Sequence, residues 1–271
     1  MTKRFISIVS AAFFLFTTHT ASAIEIKDVT SDKGIKAWLV EDHTNPIITV
    51  NISFRGGSAL DPVGKEGLAN LISATLDEGA GDIKSQEFQQ KLEDLAISLN
   101  FDSRLDSFSG SLRTLKKNQA IAFDLLRLAL TKPRFDSEPV ERIRSQIIAN
   151  IRRQSENPRR IARRTLFSKL FPGHPYGRPS NGTEQSVQVI KLADLRFFVE
   201  QRFARDNLVV SVVGDITEAG LKQQLDQTFG ALPKKASPWE VPEITPDDKE
   251  QTIVVDKAIP QSIITFAQPG V

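Results

Sequence analysis

Only two histidines lie beyond residue 23, His43 and His174. An imidazole serves as acid, base or metal ligand only beside a partner group. These two are far apart in sequence, so no His-x-x-x-His pair sets two imidazoles on one helix face. His43 falls in a polar turn and His174 in one rich in Pro and Gly, and a structural part in each loop is the expectation. There is no cysteine, which excludes a thiolate metal site and a Cys nucleophile. Ser103, Ser107, Ser109 and Ser111 could supply a hydroxyl, but a serine nucleophile needs a base oriented by a third group. No Gly-x-Ser-x-Gly elbow accompanies them, so they read as the polar face of a strand. Asp77 and Glu78 are paired carboxylates that could meet a hard cation. Without a third carboxylate close by, a solvated helix end is the expectation. Arg152, Arg153, Arg159, Arg160, Arg163 and Arg164 cluster around Pro158. A phosphate or anionic-lipid patch is the sharp reading of that cluster, and pairing with an acidic partner surface is another. The near balance of 35 basic and 33 acidic residues favours a solvated helix face and argues against a nucleic-acid partner.

The elements that would position these groups can be read from periodicity. Alternating apolar residues predict strands at 35–40 and 47–54, and the turn-rich residues between them predict a hairpin. Helical spacing of Leu68, Leu71, Ile72 and Leu76 predicts a helix over 67–78. Further helices are predicted at 85–95, 118–130, 138–155, 161–170, 192–203 and 218–229. Strands are predicted at 97–101, 107–112 and 207–213. Their non-alternating order implies an α+β domain with a layered antiparallel sheet and helices on one face.

The ends carry separate signals. Lys3 and Arg4, an apolar stretch at 5–18 and the small residues 21–23 predict a signal peptide at 1–23, cleaved after Ala23. The apolar stretch is too short for a bilayer span of ~20 residues. Export, most simply to the periplasm, is the expectation, with no integral membrane segment after cleavage. A domain is expected over 24–235, then a linker at 236–249 rich in Pro and charge. Strand-like runs at 252–255 and 262–266 then read as the first hairpin of a second domain in 250–271, cut short at Val271.

Three stretches carry a resemblance to a known family. FRGGSALDPVGKEGLA at 54–69, HPYGRP at 174–179 with GTE at 182–184, and FARDNLVV at 203–210 with VGD at 213–215 resemble landmarks of the insulinase/pitrilysin zinc peptidases. They stand in the family's order, and the resemblance covers essentially all of 24–271. Active members bear an inverted zinc motif, His-x-x-Glu-His, on the helix after the first stretch. Its two imidazoles share a zinc ion, its Glu acts on zinc-bound water, and a Glu on another helix completes the ligands. On this sequence the His positions fall on Asn70 and Ala74, the general base on Ser73 and the distal Glu on Asn150. Alanine has no donor atom, and neutral amides are poor zinc ligands.

The resemblance therefore implies a non-catalytic member: no zinc of its own, a zinc-bearing homologue as partner, and peptide substrates enclosed between the two. The substrate-holding residues it implies would lie beyond Val271. A stand-alone peptide-binding or scaffolding module is the alternative. An active hydrolase is disfavoured because no nucleophile–base or metal constellation is visible.

Overall fold

A computed structural model describes residues 25–244 and 250–268. The signal peptide expected at 1–23 and residues 245–249 of the expected linker lie outside the described residues. The elements run β1 (Lys27–Thr30), β2 (Lys36–Glu41), β3 (Ile47–Arg55), α1 (Leu68–Ser73), β4 (Gly79–Ala80), β5 (Ile83–Lys84) and α2 (Ser85–Asp94). Then come β6 (Ser98–Ser103), β7 (Ser107–Leu115), α3 (Gln119–Thr131), α4 (Ser137–Ser155) and α5 (Pro158–Leu170). The last are α6 (Glu184–Gln188), α7 (Leu192–Arg202), β8 (Leu208–Gly214) and α8 (Glu218–Phe229).

Six strands form one sheet in the order β1-β2-β8-β3-β7-β6. Burial alternates along them as a one-sided sheet requires. Ile48, Val50, Ile52 and Phe54 of β3, Phe108 and Leu112 of β7, and Val210 and Val212 of β8 point into the core. Each such side chain contributes roughly 2 kcal/mol on leaving water. Helices α1 and α2 pack on β6, α3 on β7 and α8 on β1, so the helices share that buried side. Across the sheet, Trp38, Asn51, Val209 and Val213 are exposed on the other face. Phe203 lies at the centre of an aromatic cluster, stacked on Phe54 at 4.6 Å and tilted against Phe108 at 5.1 Å.

Four expectations are corrected here. The hairpin of 35–40 and 47–54 does not form: β8 lies between β2 and β3, parallel to the first and antiparallel to the second. The sheet is therefore mixed, not purely antiparallel. The physical reason is burial. The Val-rich β8 gains ladder partners on both sides in the centre, and the short loop after β2 spans its end, with Asp42 N–H on Gly214 O at 3.0 Å. Gly214 permits this crossing, because a Cβ there would meet Ile47 O at 2.0 Å. The true hairpin joins β1, missed in the sequence, to β2.

The helix expected over 67–78 closes early, at Ser73. Thr75 Oγ1 donates to Leu71 O at 2.8 Å, and the chain then turns into the β4–β5 ribbon. Asp77 and Glu78 consequently are not a solvated helix end. Both are half-buried: Asp77 accepts from Gln89 Nε2, and Glu78 pairs with Arg142 at 2.6 Å and accepts from Ser85 Oγ. Burial raises the Asp77 carboxyl above the usual carboxylate range. Finally, 252–255 and 262–266 form no strand among the described residues, and Val254, Ile264 and Phe266 remain about 85% exposed. Alternation supplies a strand's pattern, but a strand needs a neighbour to pair with.

A degenerate metallopeptidase corner

The first landmark, residues 54–69, is a loop folded around one buried carboxylate. Asp61 Oδ2 accepts from Gly67 N at 2.8 Å and Oδ1 from Ala69 N at 3.0 Å, so it caps the first turn of α1 from within the loop. Burial pushes its carboxyl up to about 7, against those N–H bonds and the nearby Arg178 guanidinium. The sequence alone gave Asp61 no capping signature, because it stands well before the helix and not at the residue that opens it.

The second landmark closes on the first. Arg178 donates to Asp61 O at 2.8 Å and to Ala59 O at 2.9 Å, and Ser186 Oγ donates to Glu66 O at 2.8 Å. Gly182 has φ +79, and a Cβ there would lie 2.2 Å from Glu66 O, so only glycine lets the loops touch. His174 is buried, with Nε2–H donating to Pro242 O at 2.8 Å and Nδ1 accepting from Tyr176 N–H at 3.2 Å. It is thus a structural histidine that pins the segment after α8. The third landmark joins the others through Asn207 Nδ2, which donates to Arg55 O at 3.1 Å, and through the Phe203–Phe54 stack. Three stretches spread over most of the chain are therefore one contact set.

His174→Ala is expected to cost about 2 kcal/mol, since it removes two buried hydrogen bonds. New cleavage within residues 233–244 in limited proteolysis is the expected signature. An unchanged digestion pattern would mean that the segment is held by other contacts.

Around this frame sit the four positions marked by the resemblance. Asn70 is half-buried on α1, and its carbonyl accepts from Ser73 Oγ at 2.9 Å. Ser73 is buried, and Ala74 follows as the helix cap. Asn150 is exposed near the end of α4, where its Oδ1 accepts from Arg153 at 3.3 Å. Helix α4 packs on α1. Asn150 follows Val140, Ile143 and Ile147 at helical spacing, but it lies outside the core that they join. Among the described residues no group of three or more His, Cys, Asp or Glu is arranged to hold a metal ion. Two amides, a hydroxyl bonded to backbone and an alanine methyl do not fit zinc.

The remaining candidates fall elsewhere. His43 Nδ1 pairs with Asp215 at 2.5 Å at the end of β8, where Lys116 also reaches Asp215 at 2.7 Å. Hydrogen bonds from Lys116 and His43 hold the Asp215 carboxyl below its usual range. Ser103 lies on β6, and Ser107, Ser109 and Ser111 are half-buried on β7, alternating with buried Phe108 and Leu112. Arg144 is one structural residue that the sequence did not single out. Almost fully buried on α4, it donates to Val187 O and to Ile190 O, the latter at 2.9 Å, tying α4 to α6 and to the loop before α7.

A one-sided sheet layered with helices on its buried face, with α4 packed on α1, defines an α+β domain. Comparison with known proteins agrees. Residues 36–184 match the family described as Insulinase (Peptidase family M16), and residues 190–271 match the Peptidase M16 inactive domain. The chain belongs to the insulinase family, peptidase family M16, as an inactive member lacking His-x-x-Glu-His. The second match begins inside the sheet-forming unit, because it includes β8, a central strand of that sheet.

Among relatives, the chain is 29% identical over 255 residues to the "Non-peptidase homolog YmxG" of Helicobacter pylori, covering 94% of this chain and 59% of that protein. It is 24% identical over 233 residues to the mitochondrial-processing peptidase subunit beta of Saccharomyces cerevisiae, covering 82% and 49%. A crystal structure of the peptidase M16 inactive domain from Pseudomonas fluorescens superposes with a TM-score of 0.76 at 27% identity, over 82% of this chain and 54% of that one. The chain thus spans between about half and three-fifths of the length of these proteins.

Proposed function

We propose that this chain is a non-catalytic subunit of an exported M16 peptidase, assembling with a zinc-bearing homologue and helping to enclose and hold peptide substrates. The observation that carries the reading is that α4 packs on α1 while Asn70, Ser73, Ala74 and Asn150 offer no zinc ligand set. One relative, by its name, is a subunit of a processing peptidase, which is the kind of assembly proposed. Peptide holding has a physical basis in β6, which among the described residues ends the sheet and pairs only with β7. An open strand edge accepts an extended chain through main-chain hydrogen bonds, with no special side chain required. In this reading the chain itself takes no zinc. Among the described residues no helix is long and apolar enough to cross a membrane, and export rests on residues 1–23.

The test is hydrolysis of a peptide mixture with added zinc, by this chain alone and then mixed with a zinc-bearing homologue from the same genome. The chain alone is expected to be inert, and the mixture is expected to exceed the homologue alone. Zinc-dependent cleavage by the pure chain would overturn the reading. Equal rates with and without the chain would leave a stand-alone binding module as the better account.

A further inference from the structure

We propose that the elbow between α4 and α5 is a docking face for acidic, extended polypeptide; this rests on the peptide-holding reading above and names the substrate class it favours. Helix α5 contains no acidic residue and no buried residue. Arg159 and Arg163, and beside them Arg160 and Arg164, are stacked one turn apart, and all four are exposed. Ile161, Ala162, Thr165 and Leu166, on the other side of the helix, are half-buried. Arg152 and Arg153, at the end of α4, extend the cationic surface toward Asn150, at the degenerate corner itself.

This arrangement is unfavourable to the helix that carries it. Like charges one turn apart repel. Arg159 and Arg160 also occupy the first turn, where the helix dipole favours anions, and no acidic residue offsets them. The helix start is already secured by Asn157 Oδ1, which accepts from Arg159 N and Arg160 N, so the guanidinium groups are not needed as caps. Among the described residues no carboxylate stands within ion-pair distance of Arg159, Arg160, Arg163 or Arg164. A negatively charged ligand would relieve both strains.

One observation favours a polypeptide over a bilayer as that ligand. A helix that lies in a membrane turns its apolar side outward, whereas α5 turns its apolar side inward and presents cations. Guanidinium groups pair with carboxylates as they do with phosphates, and within the chain Arg152 Nε meets Glu184 Oε2 at 2.6 Å. Helix α5 packs on residues 175–177, where Tyr176 OH donates to Asp106 in the β6–β7 turn at 2.8 Å, so the edge strand β6 would supply main-chain pairing for the same extended ligand.

The experiment uses fluorescence anisotropy with three labelled peptides of equal length, Glu-rich, neutral and Lys-rich, and sedimentation with phosphatidylglycerol vesicles. The chain is compared with its Arg159→Gln, Arg160→Gln, Arg163→Gln, Arg164→Gln variant, whose fold is checked by circular dichroism. The expected result is at least ~10-fold tighter binding of the Glu-rich than of the neutral peptide, a difference of about 1.4 kcal/mol. That preference is expected to vanish in the variant and to weaken with salt. Equal binding of all three peptides overturns this inference and leaves peptide holding intact. Failure of every peptide to bind sinks both. Variant-sensitive binding to vesicles without a Glu-rich preference overturns it in favour of a membrane surface.

Discussion

Replacing Asp61 by alanine is expected to lower the unfolding free energy by about 3 kcal/mol at pH 5, because two buried N–H groups, of Gly67 and Ala69, lose their acceptor. For a domain of this size that is a fall in Tm of about 6–12 °C. The penalty is expected to shrink as pH rises. The carboxyl titrates at about 7 in the fold and near ~3.9 in the unfolded chain. Its contribution is therefore fully present below about pH 4 and is lost as pH rises through about 7. Between pH 5 and pH 8 the loss amounts to about 3 kcal/mol at ~1.4 kcal/mol per pH unit, so the alanine variant is expected to approach wild type by pH 8. Carboxylates held below their usual range, such as Asp215 and Asp194, act with the opposite sign. They are present in both proteins and cancel in the difference. Urea unfolding at several pH values measures it. A penalty that does not change with pH would show that Asp61 is already ionised at pH 5.

The second large effect is a gain. Asn70→His, Ala74→His and Asn150→Glu together are expected to turn a chain with no zinc donor set into one that binds a single zinc ion. A Kd below about 1 µM, near −8 kcal/mol, is the expected scale. Positions 70 and 74 stand one helical turn apart at the end of α1, and α4 packs against that helix. Two imidazoles and a carboxylate would replace two amides and a methyl group, which changes the ligand chemistry from poor to suitable. Equilibrium dialysis with metal analysis gives the stoichiometry, and the single-site variants serve as controls. Adding Ser73→Glu supplies the general-base position and allows hydrolysis to be assayed. No zinc uptake by the triple variant, while it remains folded, would show that these positions do not converge as the assignment requires.

The helices were largely legible in the sequence because their signal is local. Glu218–Phe229 has the predicted bounds, and Ser137–Ser155 and Leu192–Arg202 differ from prediction by one residue at one end. Apolar spacing and a nearby Pro or cap decide such an element almost alone. The absence of a His-x-x-Glu-His string was equally plain, since residue types are given by the sequence itself. Strand partners were not: the alternation in 35–40 and 47–54 reports a half-buried strand, but not which neighbour it takes. The early end of α1 at Ser73 was also hidden, because it follows from Thr75 bonding back to the helix and from the β4–β5 ribbon.

The sequence by itself determined the family, the lack of a His-x-x-Glu-His string and most helices, all properties of residue type or of neighbours within a turn or two. Only the tertiary structure decided that β8 separates β2 from β3, that Glu78 pairs with Arg142, and that Asp61, Arg178 and Asn207 gather three distant stretches into one frame. Those outcomes depend on which groups share a buried, dry environment, and burial is settled by the whole chain at once.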